Sequence, residues 1–226
     1  KEEELRLADR ITCPSKFVLE SIPESIRKNK ICQISPFGSP VFGFPEFSTK
    51  RKHRQSFRLL FVGSMSQRKG LADIFEAMKL LKDSPVQLSI LGQPSMPMEF
   101  YRKQFSHFKY FRPRSNHKVR EVMMMHDALV LPSIVEGRAL VQQEALACGL
   151  PLIVSPNAGG EDLITEGLTG YIVPIRAPEK IAEKIMELVE SKIPSDEQKK
   201  LCKLKASSYS WSEYAQKIID FNFAHN

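Results

Sequence analysis

The sequence predicts an α/β domain, a doubly wound parallel sheet of Rossmann-like type with helices on both faces. Three observations predict it. Short segments rich in Leu, Ile and Val show no alternation with polar residues, as expected for strands that are buried on both faces. Between them lie segments whose apolar residues recur at helical spacing. Several of the apolar segments end in glycine or proline, where a strand would pass into a loop.

The alternation of strands and helices starts at residue 58 and continues for about 150 residues. The predicted strands cover residues 58–63, 86–92, 128–132, 151–155 and 170–173. The predicted helices cover residues 71–81, 118–126 and 140–148, and a further one begins at Pro178. Ligands of such sheets bind beyond the carboxyl ends of the strands, so the loops that follow the strands are the places to look for a site.

We divide the chain into four parts on this pattern. Residues 57–206 form the sheet domain, and residues 207–226 form a C-terminal amphipathic helix. Residues 1–35 hold two short predicted strands and a helix, which we interpret as the end of another, N-terminal domain. Residues 36–56 combine Pro, Gly and Ser with a basic run, a composition typical of an interdomain linker.

Composition limits the class of protein and its partners. The formal net charge of +7 favours anionic partners such as nucleotides, nucleic acid, acidic lipids or phosphorylated substrates. No apolar run approaches the roughly 20 residues that a transmembrane helix needs. The chain does not begin with Met, so we expect it to be part of a longer protein. Its four cysteines are scattered and its five histidines lack metal-ligand spacing, which favours a cytoplasmic protein with reduced thiols and no metal site.

The first candidate site is the loop GSMSQRKG, residues 63–70, between a predicted strand and a predicted helix. Backbone N–H groups and the positive end of a helix would face the ligand crevice there, and Arg68 and Lys69 add two cations. That combination suits a diphosphate. The spacing matches neither the dinucleotide-binding fingerprint nor the P-loop. Taken alone, the segment is better explained as a solvated basic turn.

The second candidate site is the segment 132–151, which runs from a strand end through a helix. Glu136 lies in the loop, Gly137 permits close approach of the backbone to a ligand, and Glu144 lies within the helix. Two carboxylates beside free N–H donors can hydrogen-bond the hydroxyls of a sugar. The helix is otherwise mostly apolar, so a carboxylate there without a partner is costly.

The paired glutamates, embedded in PSxxEG and EALACGLP, resemble the motif of the family 4 retaining glycosyltransferases. The loop 61–70, the segments NAGG at 157–160 and GLTGYIV at 167–173, and even the stretches 8–15 and 34–38 are similar to the corresponding parts of that family. The resemblance therefore covers nearly the whole chain. It implies the C-terminal, donor-binding half of a GT-B architecture, whose second Rossmann-like domain binds the acceptor.

The resemblance also implies a role for individual residues. Lys69 and Arg68 would contact the diphosphate of a nucleotide sugar, Glu136 would act at the transferred sugar, and Glu144 would hold the ribose. Lys69 and Glu136 would be the catalytic residues of this half. The remaining donor-binding residues would be Gly63 and Ser64 in the phosphate-side loop, Arg112 in the strip 109–112 that lines the base pocket, and the backbone N–H groups of Gly137, Arg138, Ala139 and Leu140.

The sequence departs from the family pattern in four places. Ser64 stands where many members carry a second phosphate-binding Arg. Arg138 replaces a small or aromatic residue, so we expect it either to recognise an acidic sugar or to point to solvent. Ser39 and Pro40 replace part of the usual hinge. The resemblance also implies an N-terminal acceptor domain of roughly 150–200 residues, which we expect to be missing from this sequence.

The leading hypothesis is thus the donor-binding half of a retaining hexosyltransferase of polysaccharide biosynthesis. Its partners would be a nucleotide sugar and, through the N-terminal domain, a glycan or a lipid-linked acceptor, with peripheral association at the inner membrane face as an option. Without that domain the isolated chain would be inactive. No Asp-x-Asp motif is present, so Lys and Arg rather than a metal cofactor would neutralise the diphosphate. The alternatives are a non-catalytic nucleotide-sugar-binding module or subunit of a split enzyme and, last, a nucleic-acid-binding protein.

Overall fold

The computed structural model describes residues 2–40, 56–192 and 194–223. The chain begins with a small unit, made of α1 (Glu2–Leu7), β1 (Arg10–Cys13), α2 (Lys16–Ser21), α3 (Glu24–Arg27) and β2 (Ile31–Ile34). β1 and β2 form a two-stranded parallel sheet with a small core of its own. Most of the predicted linker, residues 41–55, lies outside the described residues, and the division into domains stays a prediction.

The main body is a single parallel sheet of six strands. These are β3 (Phe57–Val62), β4 (Val86–Leu91), β5 (Phe108–Phe111), β6 (Ala128–Leu131), β7 (Leu152–Val154) and β8 (Gly170–Ile172). They lie in the order β5-β4-β3-β6-β7-β8. The central strand β6 is buried at every residue, which explains its unbroken apolar run. The predicted Rossmann-like α/β fold is therefore confirmed.

Helices cover both faces of this sheet. They are α4 (Leu71–Leu80), α5 (Met98–Gln104), α6 (Asn116–Met124), α7 (Leu140–Ala147), α8 (Pro178–Glu190), α9 (Asp196–Ser207) and α10 (Trp211–Phe223). In the described part of the chain, no helix is both long and apolar enough to cross a membrane. α10 returns to the N-terminal unit, where the side chains of Arg10 and Gln33 donate to carbonyl oxygens of Phe221 and Lys217.

The strand order determines where a ligand can enter. From β3 the chain first moves to one edge through β4 and β5, and then crosses back to β6 on the other side of β3. The connections that follow β3 and β6 therefore leave in opposite directions, and a crevice opens between them at the carboxyl ends of the strands. The loops that border this crevice are 63–70, the first candidate site of the sequence, and 132–139, the first part of the second candidate site at 132–151.

Candidate functional site

The two loops are in direct contact at the crevice. The N–H of Ile134 donates to the carbonyl oxygen of Arg68 over 2.8 Å. Gly70 has a φ of +75°, and a Cβ atom on it would collide with the carbonyl oxygen of Pro132. Only glycine combines that conformation with so close a backbone approach. The loop after β3 is thereby held against the loop after β6.

This contact brings the candidate cations and one candidate carboxylate together. Lys69 Nζ donates to Glu136 Oε2, and Arg68 NH1 lies 3.2 Å from the same oxygen. The side chains of Lys69 and Glu136 are only 12% and 18% exposed, whereas that of Arg68 is 53% exposed. The pair Lys69–Glu136 is therefore partly shielded from water and stronger than a surface ion pair. The interpretation of loop 63–70 as a solvated turn does not apply to Lys69.

Loop 132–139 is held in place by four polar side chains, one of them its own, and by a second glycine. The hydroxyl of Ser15, from the N-terminal unit, donates to Gly137 O over 2.6 Å, and Asn157 Nδ2 donates to Ile134 O over 2.7 Å. Gly159, with φ +71°, lies so close that a Cβ would collide with Gly137 O. The other polar groups are those of Ser155, which donates to Ser133 O, and Arg138. Nothing in the sequence pattern marks Ser15 as a site residue, because it lies 122 positions before Gly137.

The backbone N–H groups of the loop are only partly available. Within the described residues, those of Gly137, Arg138 and Leu140 have no hydrogen-bond acceptor. The N–H of Ala139, in contrast, donates to Ala158 O over 3.2 Å. The Ala139 N–H is thus already bonded to the turn at 156–158, and a role of that group toward a ligand stays a prediction. Three donors beside Glu136 remain.

Glu144 lies on α7, one turn after Leu140, whose side chain is 40% exposed. Residues four apart share a helix face, so the two side chains point to the same side. Glu144 is half-buried, and burial raises the pKa of its carboxyl group above the ordinary value of 4.5. Among the described residues, none hydrogen-bonds or ion-pairs with the carboxylate of Glu144, whose backbone carbonyl accepts from the Cys148 N–H. The raised pKa is the energetic cost of a desolvated carboxylate that lacks a partner.

Arg138 contradicts both expectations. Its guanidinium is fully buried, so it does not point to solvent, and its donors are occupied by the protein, so it is not free to recognise an acidic sugar. NH1 and NH2 form a bidentate ion pair with the Asp162 carboxylate, at 2.7 Å to Oδ1 and 3.0 Å to Oδ2. Burial pushes the pKa of Asp162 up, but the hydrogen bonds and charge of Arg138 outweigh it and lower the pKa. Only the backbone of Arg138 can face a ligand.

The remaining candidates are dispersed around the crevice. Gly63 uses its N–H to bond Leu91 O over 3.0 Å, so it contributes shape rather than a donor. The hydroxyl of Ser64 lies 3.3 Å from that of Ser66. Arg112 is exposed just beyond the end of β5, compatible with a wall of the crevice. Lys109 is different, because it lines a separate cavity of about 470 Å³ with Arg58 and His126.

Cysteine and metal chemistry find no support in the part of the chain that the structure describes. Burial raises the pKa of the Cys148 and Cys202 thiols to about 12. Both thiols therefore stay protonated at neutral pH, which makes them poor nucleophiles. Across the ranges 2–40, 56–192 and 194–223, no group of three or more His, Cys, Asp or Glu side chains is placed to hold a metal ion.

Fold and site together define a Rossmann-like α/β domain of the GT-B type. Sucrose-phosphate synthase from Thermosynechococcus elongatus superposes with a TM-score of 0.80 at 19% identity, over 96% of this chain and 58% of that one. A glycosyltransferase from Rickettsia africae gives a TM-score of 0.78 at 16% identity, over 97% of this chain and 65% of that one. The chain belongs to the family described as Glycosyl transferases group 1, whose sequence profile matches residues 44–211.

A curated relative of known activity extends the comparison. The N,N'-diacetylbacillosaminyl-diphospho-undecaprenol alpha-1,3-N-acetylgalactosaminyltransferase of Campylobacter jejuni is 27% identical over 222 residues, 90% of this chain and 57% of that protein. Other relatives are covered to a similar extent, 50% and 46% of their length. The chain thus spans about half the length of the curated relatives it matches.

Proposed function

We propose that the chain is the donor-binding half of a retaining glycosyltransferase of the family 4 type, which moves a hexosyl unit from a nucleotide-diphosphate sugar to a glycan or lipid-linked acceptor. Membership of Glycosyl transferases group 1 supports glycosyl transfer. The single observation that carries the donor class is the cluster of Lys69, Arg68 and Glu136 where the two loops meet. Two cations at the switch point of a parallel sheet suit a diphosphate.

In the proposed complex the diphosphate replaces Glu136 as the ion-pair partner of the two cations. Lys69 and Arg68 contact its oxygens, and the unpaired N–H groups of Gly137 and Leu140 add neutral donors. Glu136, released from the two cations, accepts hydrogen bonds from the hydroxyls of the sugar. When the bond to the sugar breaks, negative charge grows on the departing diphosphate, and the fixed cations stabilise it without reorganisation. No divalent metal is needed in this arrangement.

The acceptor side belongs to the proposal as well. The name of the Campylobacter jejuni relative includes a diphospho-undecaprenol lipid, which supports a lipid-linked acceptor for this chain as one of the two options. We infer a cytoplasmic protein of polysaccharide biosynthesis with peripheral membrane contact, in which the acceptor is held by an N-terminal domain. Retention is tested by proton NMR of the glycosidic bond that the chain forms when it is joined to its N-terminal domain, where an inverted anomeric configuration would exclude it.

The decisive measurement is calorimetric titration with UDP, GDP and ADP in the presence of EDTA, and with the matching nucleosides. We expect one diphosphate to bind without metal and to raise the melting temperature, because a ligand at a hundred times its Kd stabilises the fold by about 2.7 kcal/mol. The matching nucleoside should bind far more weakly. If no diphosphate binds, or one binds only after Mg²⁺ or Mn²⁺ is added, the proposed donor site is wrong.

Removing the charge of Glu144 should raise the stability of the protein and lower its affinity for the nucleoside diphosphate. Its pKa is raised in the folded state, so the ionised carboxylate destabilises the empty protein above that pKa, and the cost disappears below the ordinary value of 4.5. Glu144→Gln should therefore raise the melting temperature at pH 7 but not in acid. The same change should weaken the diphosphate by roughly tenfold to a hundredfold, because a charged hydrogen bond to the ribose is lost.

A matched control separates this effect from a general charge effect. Glu76 lies on the exposed side of α4 and pairs with Lys79 over 2.7 Å. Glu76→Gln removes the same charge at a distance from the crevice, and it should change neither the ligand affinity nor the acid dependence of stability. A Glu144→Gln protein that is destabilised at pH 7 would show that Glu144 has a structural partner rather than a ligand.

A further inference from the structure

Arg138 is the most completely bonded charged side chain near the crevice. Besides the two bonds to Asp162, NH1 donates to Gly159 O over 3.1 Å, and Nε donates to Gln143 Oε1 over 3.1 Å. Burying a guanidinium is costly unless its donors are satisfied, and an apolar residue of similar size would often be as stable. These bonds join the side chain of Arg138 to Gln143 on α7 and to Gly159 and Asp162 in the turn at 159–162. They therefore fix loop 132–139, which carries Arg138, relative to α7 and that turn.

The bonds continue from Arg138 to the end of the N-terminal unit. Gln143 Nε2 donates to Phe37 O over 2.6 Å and to Ser39 Oγ over 3.0 Å. The N–H of Ser39 in turn donates to Tyr209 O over 2.8 Å. The ring of Tyr209 lies 5.3 Å from the guanidinium of Arg138. These contacts close a ring that starts and ends at Arg138.

Two segments of the backbone pass through this ring: the one that leaves the N-terminal unit after β2, and the one that joins α9 to α10. The segment 36–39 leads away from β2, and the segment 209–211 leads into α10, which packs against that unit. The two segments touch, since a Cβ on Gly38 would collide with the backbone of Trp211. The ring of Phe37 also stacks on that of Trp211, with centroids 6.2 Å apart. A shift of the N-terminal unit must therefore move the partners of Arg138.

We propose that Arg138 is a positioning residue that couples occupancy of loop 132–139 to the orientation of the N-terminal unit at segments 36–39 and 209–211. The inference rests on the proposed function, because it requires a ligand on that loop. Binding at the N–H groups of Gly137 and of Arg138 itself moves the backbone that carries the guanidinium. The guanidinium passes the shift to Gln143 and Tyr209, and from there to both crossing segments.

The planar fork of arginine is essential to this role. Lysine keeps the charge but cannot reach both Asp162 oxygens, Gly159 and Gln143 together. Arg138→Lys should therefore weaken the nucleoside diphosphate by about tenfold, since the loop is less well fixed. Gln143→Glu keeps an acceptor for Arg138 and removes the donor to Phe37 and Ser39. The new carboxylate cannot donate to the Phe37 carbonyl, although it can still accept from the Ser39 hydroxyl, so this second variant breaks the connection at Phe37 and leaves the ion pair with Asp162 intact.

The test is hydrogen exchange by mass spectrometry, with and without whichever of UDP, GDP and ADP binds best. In the wild-type chain we expect the ligand to slow exchange of the amides at 37–39 and 209–211, including the Ser39 amide that donates to Tyr209 O. Arg138→Lys and Gln143→Glu should both lose this protection at saturating ligand. Arg102→Lys is the control, because Arg102 also binds carbonyl oxygens, those of Ser106 and Phe108, far from the ring.

The outcomes distinguish the two proposals. If the wild-type chain binds none of the diphosphates, both fail. If it binds one but the crossing segments are not protected, or if either variant still transmits the protection, the coupling role is overturned while the donor site stands. A role limited to stability would lower the melting temperature of Arg138→Lys, as it would for Arg102→Lys, and would leave the ligand-induced protection in place.

Discussion

Lys69→Met should weaken a nucleoside diphosphate by roughly tenfold to a hundredfold and leave the bare nucleoside almost unchanged. Methionine removes the ammonium group and keeps an apolar chain of nearly the same length. The aliphatic part of the Lys69 side chain, which lies beside Gly63, is therefore largely preserved. One screened ion pair disappears, so the binding should also depend less on salt concentration. Calorimetry with both ligands at two ionic strengths measures these effects.

Two comparisons make the Lys69 result interpretable. Arg68→Met should act in the same direction but more weakly, because its side chain is 53% exposed and its interactions are screened by water. Lys79→Met removes an exposed cation from α4 and should have no effect. Equal losses for nucleoside and diphosphate in Lys69→Met would show that loop 63–70 is structural and that its cations do not meet phosphate.

Glu136→Gln should have opposite effects on the two ligands, which no purely structural role produces. The Glu136 carboxylate forms ion pairs with both Lys69 and Arg68, so a diphosphate that binds these cations must displace it. Without that competing charge, the free diphosphate should bind at least about fivefold more tightly, because an exposed ion pair is worth up to about 1 kcal/mol and the Lys69–Glu136 pair is partly shielded from water. The intact nucleotide sugar should lose about tenfold or more, because a charged acceptor for its hydroxyls is gone.

The ratio of the two affinities is the quantity to measure, and the double variant Lys69→Met/Glu136→Gln completes the cycle. Because the two side chains are in direct contact, their effects should not add. Without Lys69, removing Glu136 should give little further gain for the diphosphate. A parallel loss for both ligands in Glu136→Gln would mean that Glu136 mainly supports the loop, and the assignment of Glu136 to the sugar would be wrong.

The sequence predicts most of the sheet because the central strands are continuous apolar runs that end at Gly63, Gly92 or Pro132. It does not predict β5, whose residues Phe108–Phe111 include an exposed Lys109 at the edge of the sheet. Nor does it predict α5 and α9, which are short or strongly polar on one side. An edge strand and a half-exposed helix need less apolar sequence, so their signals are weaker.

For the site, the sequence indicates which residue types follow each strand, but it does not indicate which side chains they contact. The pattern and the resemblance together select Lys69, Glu136 and Glu144 before any contact is known. They mislead for Arg138, since a lone arginine in a loop normally points to water. Nothing local marks Asp162, 24 positions further on, as the residue that would bury it.

The sequence by itself therefore determined the class of fold and the identity of the chemical groups in the crevice, because buried strands, helix faces and loop residues are local properties of the chain. Only the tertiary structure decided that Lys69 and Glu136, 67 positions apart, form a pair, that the Glu144 carboxylate is half-buried without a partner among the described residues, and that the buried Arg138 guanidinium pairs with Asp162. The Lys69–Glu136 pair depends on β3 and β6 being neighbours at the centre of the sheet, and the Arg138–Asp162 pair depends on β6 and β7 being neighbours. Strand order is set by the packing of the whole domain, and no short segment encodes it.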